Sequence, residues 1–363
     1  MEQRTSTGNT ANTLRRIFVR WEWLLVVLIV AVGAFNAWRS PFFLNTNNLL
    51  RTTSDFMEIG IMVLPMVFII VTGNIDLSIA STLGLSASLM GWLYMGGWNI
   101  WAAVAVALVA SVAAGLVNGV LIARLRLPAL AVTLGTLSFY RGIAYVLLGD
   151  EAARGYPPEF TYLGQGTLFG TGVPFALLVF ALLAVVFGLV LHKTTFGRYL
   201  YAIGNNEAAA RYSGVPVARI KIIIYVLSSM MAALAGFILA ARFGSTRPDI
   251  ATGLELTVIT ITVLGGVSIF GGSGTMLGAV LALVLVGVLR FGMGLMNLQG
   301  QVQDIVIGSL LVLSILLPTI GSRIQPRLLR RRDTLVRAAA AATVAVLFVA
   351  FFFWSRSVVL AQQ

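Results

Sequence analysis

An ionisable side chain inside a long apolar run is costly, so each one is a candidate for function. In this sequence they are Asp55, Glu58, Asp76, Arg141, Glu255, Arg290 and Asp304. Most lie within a turn or two of the end of a run, within reach of water. Asp76 differs, because it sits in an abrupt polar break, G-N-I-D-L-S at 73–78, between two apolar runs. An acid there can cap the helix that follows or contact a solute directly. Arg141 calls for an acid partner in the bundle or an interface to snorkel to. Asn118, Thr133, Thr136 and Ser138 can hydrogen-bond a hydroxylated solute, or only their own helix backbone. A second, glycine-rich break at 265–274 holds Ser268 and Phe270. Asn74, Asp76, Ser78, Asn118, Thr133, Thr136, Ser268 and Phe270 are therefore the candidate lining of a translocation path.

The same residue types exclude other chemistry. Cysteine is absent, which removes disulfides, thiol catalysis and cysteine metal sites. The lone His192 ends an apolar run and reads as structural. No spacing suggests a catalytic triad, a metal cluster or a paired-carboxylate site, so an enzyme is not expected. The glycines at 265, 266, 271, 272 and 274 are not followed by lysine, and neither Lys193 nor Lys221 stands in a G-x-x-x-x-G-K-[ST] setting. They suit close helix packing or a re-entrant break. No cofactor is expected on this chain.

One hydrophilic stretch interrupts the pattern, Lys193 to Lys221, with Lys193, Arg198, Arg211, Arg219 and Lys221 against the single acid Glu207. It predicts a small helix with both ends marked. Asn205 or Asn206 can cap the start, Glu207 suits the first turn, and Ala208, Ala209 and Ala210 favour helix. Gly214 can stop it in a left-handed conformation, and Pro216 prevents resumption. A helix this short is not stable alone. It either docks on a partner protein or is a plain solvated loop.

The elements that must position these residues are membrane helices. The 363 residues are 58% hydrophobic and 10% charged, with mean hydropathy +0.93; a soluble domain carries roughly 25% charged residues. Alternating ten-residue segments of a transmembrane barrel are absent. At ~20 residues per span, apolar runs fall at about 22–38, 56–72, 79–96, 99–123, 128–148, 173–192, 220–242, 253–266, 275–291 and 302–320. An eleventh lies at about 338–354. Arg15, Arg16 and Arg20 precede the first run as in a signal peptide, but no small-x-small cleavage site follows, and it reads as a retained span. The expectation is an all-α polytopic membrane protein. It has a tail at 1–21, a core of about ten transmembrane helices at 22–322 with broken or re-entrant segments, and a basic linker plus an extra C-terminal helix at 323–363.

Alternating sides from a cytoplasmic N-terminus places 17 of the 25 Lys and Arg inside. They lie in the tail, at Arg124 and Arg126, in the 193–221 loop and in the linker from Arg323 to Arg337. That bias follows the positive-inside rule, puts the loop in the cytoplasm and faces the acidic 149–172 segment outward. The net charge of +12 reflects these loops rather than a nucleic-acid partner. G-N-I-D-L-S-I-A-S-T-L-G at 73–84 also echoes G-G-V-S-I-F-G-G-S-G-T-M-L-G at 265–278. Glycine-interrupted spans paired in two halves point to a transport path at the repeat interface.

G-N-I-D-L-S at 73–78, L-P-A-L-A-V-T-L-G-T-L-S at 127–138, G-R-Y-L-Y-A-I-G-N-N-E-A-A-A-R-Y-S-G at 197–214 and V-L-G-G-V-S-I-F-G-G-S-G-T-M-L-G at 263–278 resemble the permeases of bacterial ABC importers for monosaccharides, the ribose, xylose, rhamnose and autoinducer-2 group. T-S-D-F-M-E-I-G at 53–60 and S-T-R-P-D at 245–249 look most like the rhamnose and autoinducer-2 members. The resemblance implies an inner-membrane subunit that pairs with a second permease and is fed by a periplasmic sugar-binding protein. An ABC ATPase subunit would hold ATP and Mg. It also implies that Asn206, Glu207, Ala208, Ala209, Arg211 and Gly214 form the coupling helix seated on that ATPase. Here Gly214 follows Glu207 by seven residues, where the wider importer pattern has six. The alternative is an ion-coupled secondary sugar transporter with Asp76, Glu58 or Asp304 as its coupling acid.

Overall fold

The computed structural model describes residues 21–324. The basic tail, nearly all of the 323–337 linker and the eleventh apolar run lie outside the described residues. The described chain is almost wholly helical: α1 Trp21–Arg39, α2 Thr46–Val71, α3 Ile79–Met95, α4 Ile100–Ala123, α5 Ala129–Leu148, α6 Pro158–Gln165, α7 Phe175–Lys193, α8 Thr195–Asn205, α9 Glu207–Tyr212, α10 Val217–Phe243, α11 Leu254–Leu264, α12 Met276–Leu295 and α13 Gly300–Ile324. The short strands β1, Ala153–Arg154, and β2, Ser245–Thr246, pair antiparallel.

Seven helices, α1, α2, α4, α5, α7, α10 and α12, are long and apolar enough to cross a membrane. The other three expected spans fall on the shorter apolar stretches of α3, α11 and α13. One boundary departs widely from the hydropathy reading. α2 starts ten residues earlier than 56, because Asn45 caps it by accepting from the Asn47 and Asn48 amides, and the polar residues 51–55 belong to the helix. α11 has 11 residues, roughly 16 Å at 1.5 Å per residue, about half a bilayer core. Residues 244–253 before it and 265–275 after it are non-helical.

The core is built around α2, buried continuously from Phe56 to Val71 and packed by α7, α10, α11 and α12. α1 lies on α12, α5 on α3, and α4 on α10. Contacts sort the chain ends into two faces. On the loop face, α8 meets the 265–275 break, and Trp21 Nε1 donates to the Leu264 carbonyl at 2.8 Å. There His192 Nε2 accepts the Met276 amide at 3.2 Å, the structural role its position suggested. On the strand face, β1 pairs with β2, Tyr156 bonds Thr246 at 2.8 Å, and Arg242 bridges Asp55 at 2.6 Å and Glu58 at 2.8 Å.

α4 and α10 touch along Gly115 and Gly119, a G-x-x-x-G pair of the kind that lets membrane helices approach backbone to backbone. A Cβ on Gly115 would lie 2.7 Å from the Tyr225 carbonyl, and one on Gly119 2.8 Å from the Ile222 Cα. Overpacking of this sort costs about 1–3 kcal/mol. Gly115→Ala should therefore lower the detergent-solubilised melting temperature, whereas Gly142→Ala on α5, where a Cβ meets nothing within 4 Å, should leave it in place. Equal melting temperatures would show that this packing is not limiting.

Candidate functional site

The break at 73–78 places its polar groups by local rules first. Asp76 Oδ1 accepts the Ser78 amide at 2.9 Å and the Ser78 hydroxyl at 2.6 Å, a turn immediately ahead of α3. It thus shapes the approach to the helix; its carboxylate does not bond an amide of the first turn itself. Long-range contacts complete the cluster. Ser228 of α10 donates to Asp76 Oδ2 at 2.8 Å, and Asn118 of α4 donates to Ser78 Oγ at 2.9 Å. Tyr225 and Thr133 both reach the Ile75 carbonyl at 3.4 Å. Asp76, Ser78, Asn118 and Ser228 are all buried. Asp76 has no ion-pair partner among the described residues. Asn118 Oδ1 is buried with no hydrogen-bond partner among the described residues.

Of the path residues, Asp76, Ser78, Asn118 and Thr133 are thus brought together. Thr136 bonds the Val132 carbonyl of its own helix at 3.0 Å, and Asn74 folds back on Thr72. Ser268 closes a turn with Ser273 and Gly271, and Phe270 is 83% exposed; both lie on the loop face, away from Asp76. Ser228 and Tyr225 were not singled out, because nothing local marks a hydroxyl whose partner is about 150 residues away. Arg141 neither pairs with an acid nor snorkels. It donates to the Pro248 and Ile250 carbonyls at 2.7 and 2.8 Å and to Ala80 at 3.2 Å, because the non-helical 244–253 segment leaves carbonyls that need donors. Glu58 and Asp304, candidates for ion coupling, are paired with Arg242 and Arg290.

The two echoing breaks meet. Gly272 N donates to the Val71 carbonyl at 2.9 Å, and a Cβ on Gly73 would lie 3.5 Å from the Phe270 carbonyl. Into this crossing the end of α8 inserts Gly204, where any Cβ would collide with the Val71 carbonyl and the Gly272 amide. Tyr201 Oη donates to the Gly274 carbonyl at 2.7 Å. The loop expected to hold one helix thus holds two. The first, α8, shows its signal in the Thr194 cap, which accepts the Gly197 amide at 3.3 Å, and in the apolar spacing of Phe196, Leu200 and Ile203.

α9 follows at once. Asn206 caps it, accepting the Ala209 amide at 2.9 Å, and Gly214 is left-handed at φ +83°, both as local chemistry predicts. Ala210 is buried, while Ala208, Ala209, Arg211, Ser213 and Gly214 are exposed. Tyr212, absent from the sequence-derived set, is 94% exposed. Glu207 is engaged within the chain: it accepts from Arg211 at 2.9 Å and from Lys221 of α10 at 2.7 Å. Burial alone would raise its pKa, but the Lys221 and Arg211 contacts outweigh it and hold the carboxyl below the ordinary carboxylate range.

Two measurements probe this arrangement. Gly204→Ala should abolish solute transport at normal membrane abundance; full transport would show the crossing tolerates a side chain. The Glu207 tie should be complete at neutral pH and fade as pH falls through its lowered pKa. Since the chain has no cysteine, a spin label on Ser213→Cys reports it cleanly. Its motion should rise on acidification, and already be raised at neutral pH in Glu207→Gln. A label equally mobile in both backgrounds would remove the tie as the anchor of α9.

The sequence matches the family model described as branched-chain amino acid transport system / permease component over residues 48–315. It is 38% identical to the autoinducer 2 import system permease protein LsrD of Klebsiella pneumoniae subsp. pneumoniae, over 83% of this chain and 92% of that one. The LsrD protein of Yersinia enterocolitica is 37% identical, over 88% and 99%, and that of Photorhabdus temperata 38% identical, over 81% and 90%. No solved structure matches. The multi-pass helical bundle, the paired breaks and these similarities agree: the chain belongs to the branched-chain amino acid transport system / permease component family, as a membrane permease subunit rather than an enzyme.

Proposed function

We propose that this permease belongs to an ATP-driven importer and carries autoinducer 2, or a rhamnose-like sugar of similar size and polarity, into the bacterial cytoplasm. The observation that carries the reading is the position of α9. Its exposed surface stands at the end of α8, whose Gly204 is wedged where both breaks cross. A partner ATPase, holding ATP and Mg, would seat on α9, and its closure would move both breaks together. The buried hydroxyl and amide cluster at Asp76 suits a neutral, hydroxylated solute that can replace one hydrogen bond by another. A difference in solute affinity between two arrangements of the breaks would then drive release.

The N-terminus and the α8–α9 loop are assigned to the cytoplasm by the arginine and lysine bias, and the strand face to the periplasm, where a binding protein would deliver solute. A second permease completes the path. The LsrD relatives are autoinducer 2 import permeases by name, which supports that solute over others.

Uptake in proteoliposomes should require the cognate ATPase, the binding protein and ATP; uptake by this chain alone on an ion gradient would overturn the proposal. Tyr212→Ala and Gly214→Val should leave membrane abundance unchanged, weaken ATPase co-purification several-fold and abolish uptake. Tyr212 is a cleaner probe than Glu207, whose replacement also frees α9 from α10. Wild-type uptake in both variants at matched expression would show that α9 is a plain solvated loop.

A further inference from the structure

On the strand face a cavity of about 460 Å³ opens between the end of α3, the turn into α4 and the end of α5. Its walls are Trp92, Met95 and Trp98 on one side and Leu147 and Leu148 on the other, with Glu151 at the rim. The volume falls within the ~300–1,000 Å³ of small-ligand sites. The three large apolar side chains from the α3 end are 48, 49 and 50% exposed, so each keeps one face free. Glu151 forms no ion pair among the described residues.

The composition selects the ligand. A sugar has several hydroxyls, each of which needs a partner on leaving water; among the lining side chains only Glu151 is ionic. An amphipathic molecule with one cationic amine needs a single anion, and indole faces attract cations. The cavity lies where apolar helix ends give way to polar turns, the level of lipid headgroups, and indoles favour that level. We infer that this cavity binds the ammonium headgroup of a zwitterionic phospholipid, phosphatidylethanolamine, with the amine on Glu151 beside Trp92 and Trp98, the phosphate kept in water at the open mouth, and the glycerol and upper chain against Met95, Leu147 and Leu148. The site lies on the strand face, opposite the loop face that carries α9, and none of the candidate path residues lines it.

The purified, delipidated permease would be titrated with short-chain phosphatidylethanolamine, phosphatidylglycerol and phosphatidylcholine and read by native mass spectrometry. Phosphatidylethanolamine should bind at least tenfold more tightly than phosphatidylglycerol, which lacks the cation. Phosphatidylcholine should fall between them, since its trimethylammonium can meet the indoles but cannot donate to a carboxylate. Glu151→Gln should reduce phosphatidylethanolamine binding about tenfold, as loss of a charge-assisted hydrogen bond does, and Trp98→Leu several-fold. Both side chains are on the surface, and unchanged melting temperatures would confirm folding. No preference among the three lipids, or the same preference in Glu151→Gln, would overturn the assignment. Because binding is read without transport, its failure would leave the importer proposal untouched.

Discussion

A peptide group that leaves a helix inside a membrane must find its hydrogen bond within the protein. Three non-helical segments, 72–78, 244–253 and 265–275, raise this requirement, and a set of long-range polar contacts among the described residues answers it. Arg141 supplies donors to Pro248 and Ile250. Trp21 caps Leu264, and Tyr201 caps Gly274. Asp76 takes up the amide and hydroxyl of Ser78. Gly272 and Val71 satisfy one another. Asp76 and Arg141, candidates for function from the sequence, thus first complete a broken backbone. Among the described residues three buried side-chain atoms are left without a partner, Ser88 Oγ, Arg290 Nε and Asn118 Oδ1, and only Asn118 belongs to the Asp76 cluster.

The sequence was informative where the physics is local. The cap at Asn206, the left-handed Gly214 and the polar interruption at 73–78 each follow from a few neighbouring residues, and each is found. Hydropathy located every apolar helix but misplaced the start of α2, because hydropathy measures burial in lipid while helix length is set by caps and hydrogen bonds. It placed α11 at about 253–266, within two residues of the observed Leu254–Leu264 helix, because the polar 244–253 segment and the glycines at 265 and 266 bound the apolar run. The missing partners, Ser228 for Asp76, Lys221 for Glu207 and backbone carbonyls for Arg141, are properties of packing. No spacing rule links Asp76 to a serine on a helix that begins at Val217.

Charge divides between the faces in the same spirit. On the loop face Glu207 stands between Arg211 and Lys221, an exposed tie of the modest kind that holds a short helix in place without making it rigid. On the strand face Arg242 joins Asp55 to the almost fully buried Glu58, and removing either partner there would strand a charge away from water. The first contact suits a segment that engages and releases a neighbour. The second locks the middle of α2 to the end of α10, so movement of the breaks at the far end of α2 has a fixed frame to work against.

The crossing of Val71, Gly204 and Gly272 is made by main chain alone. Side-chain contacts can absorb a small displacement by changing rotamer, but three peptide units in van der Waals contact have no such slack. A shift of α8 by a fraction of an ångström is therefore passed on undiminished to both breaks, and in the same instant. A linkage of that kind behaves like a gear without backlash: at this crossing neither break has room to shift without the other.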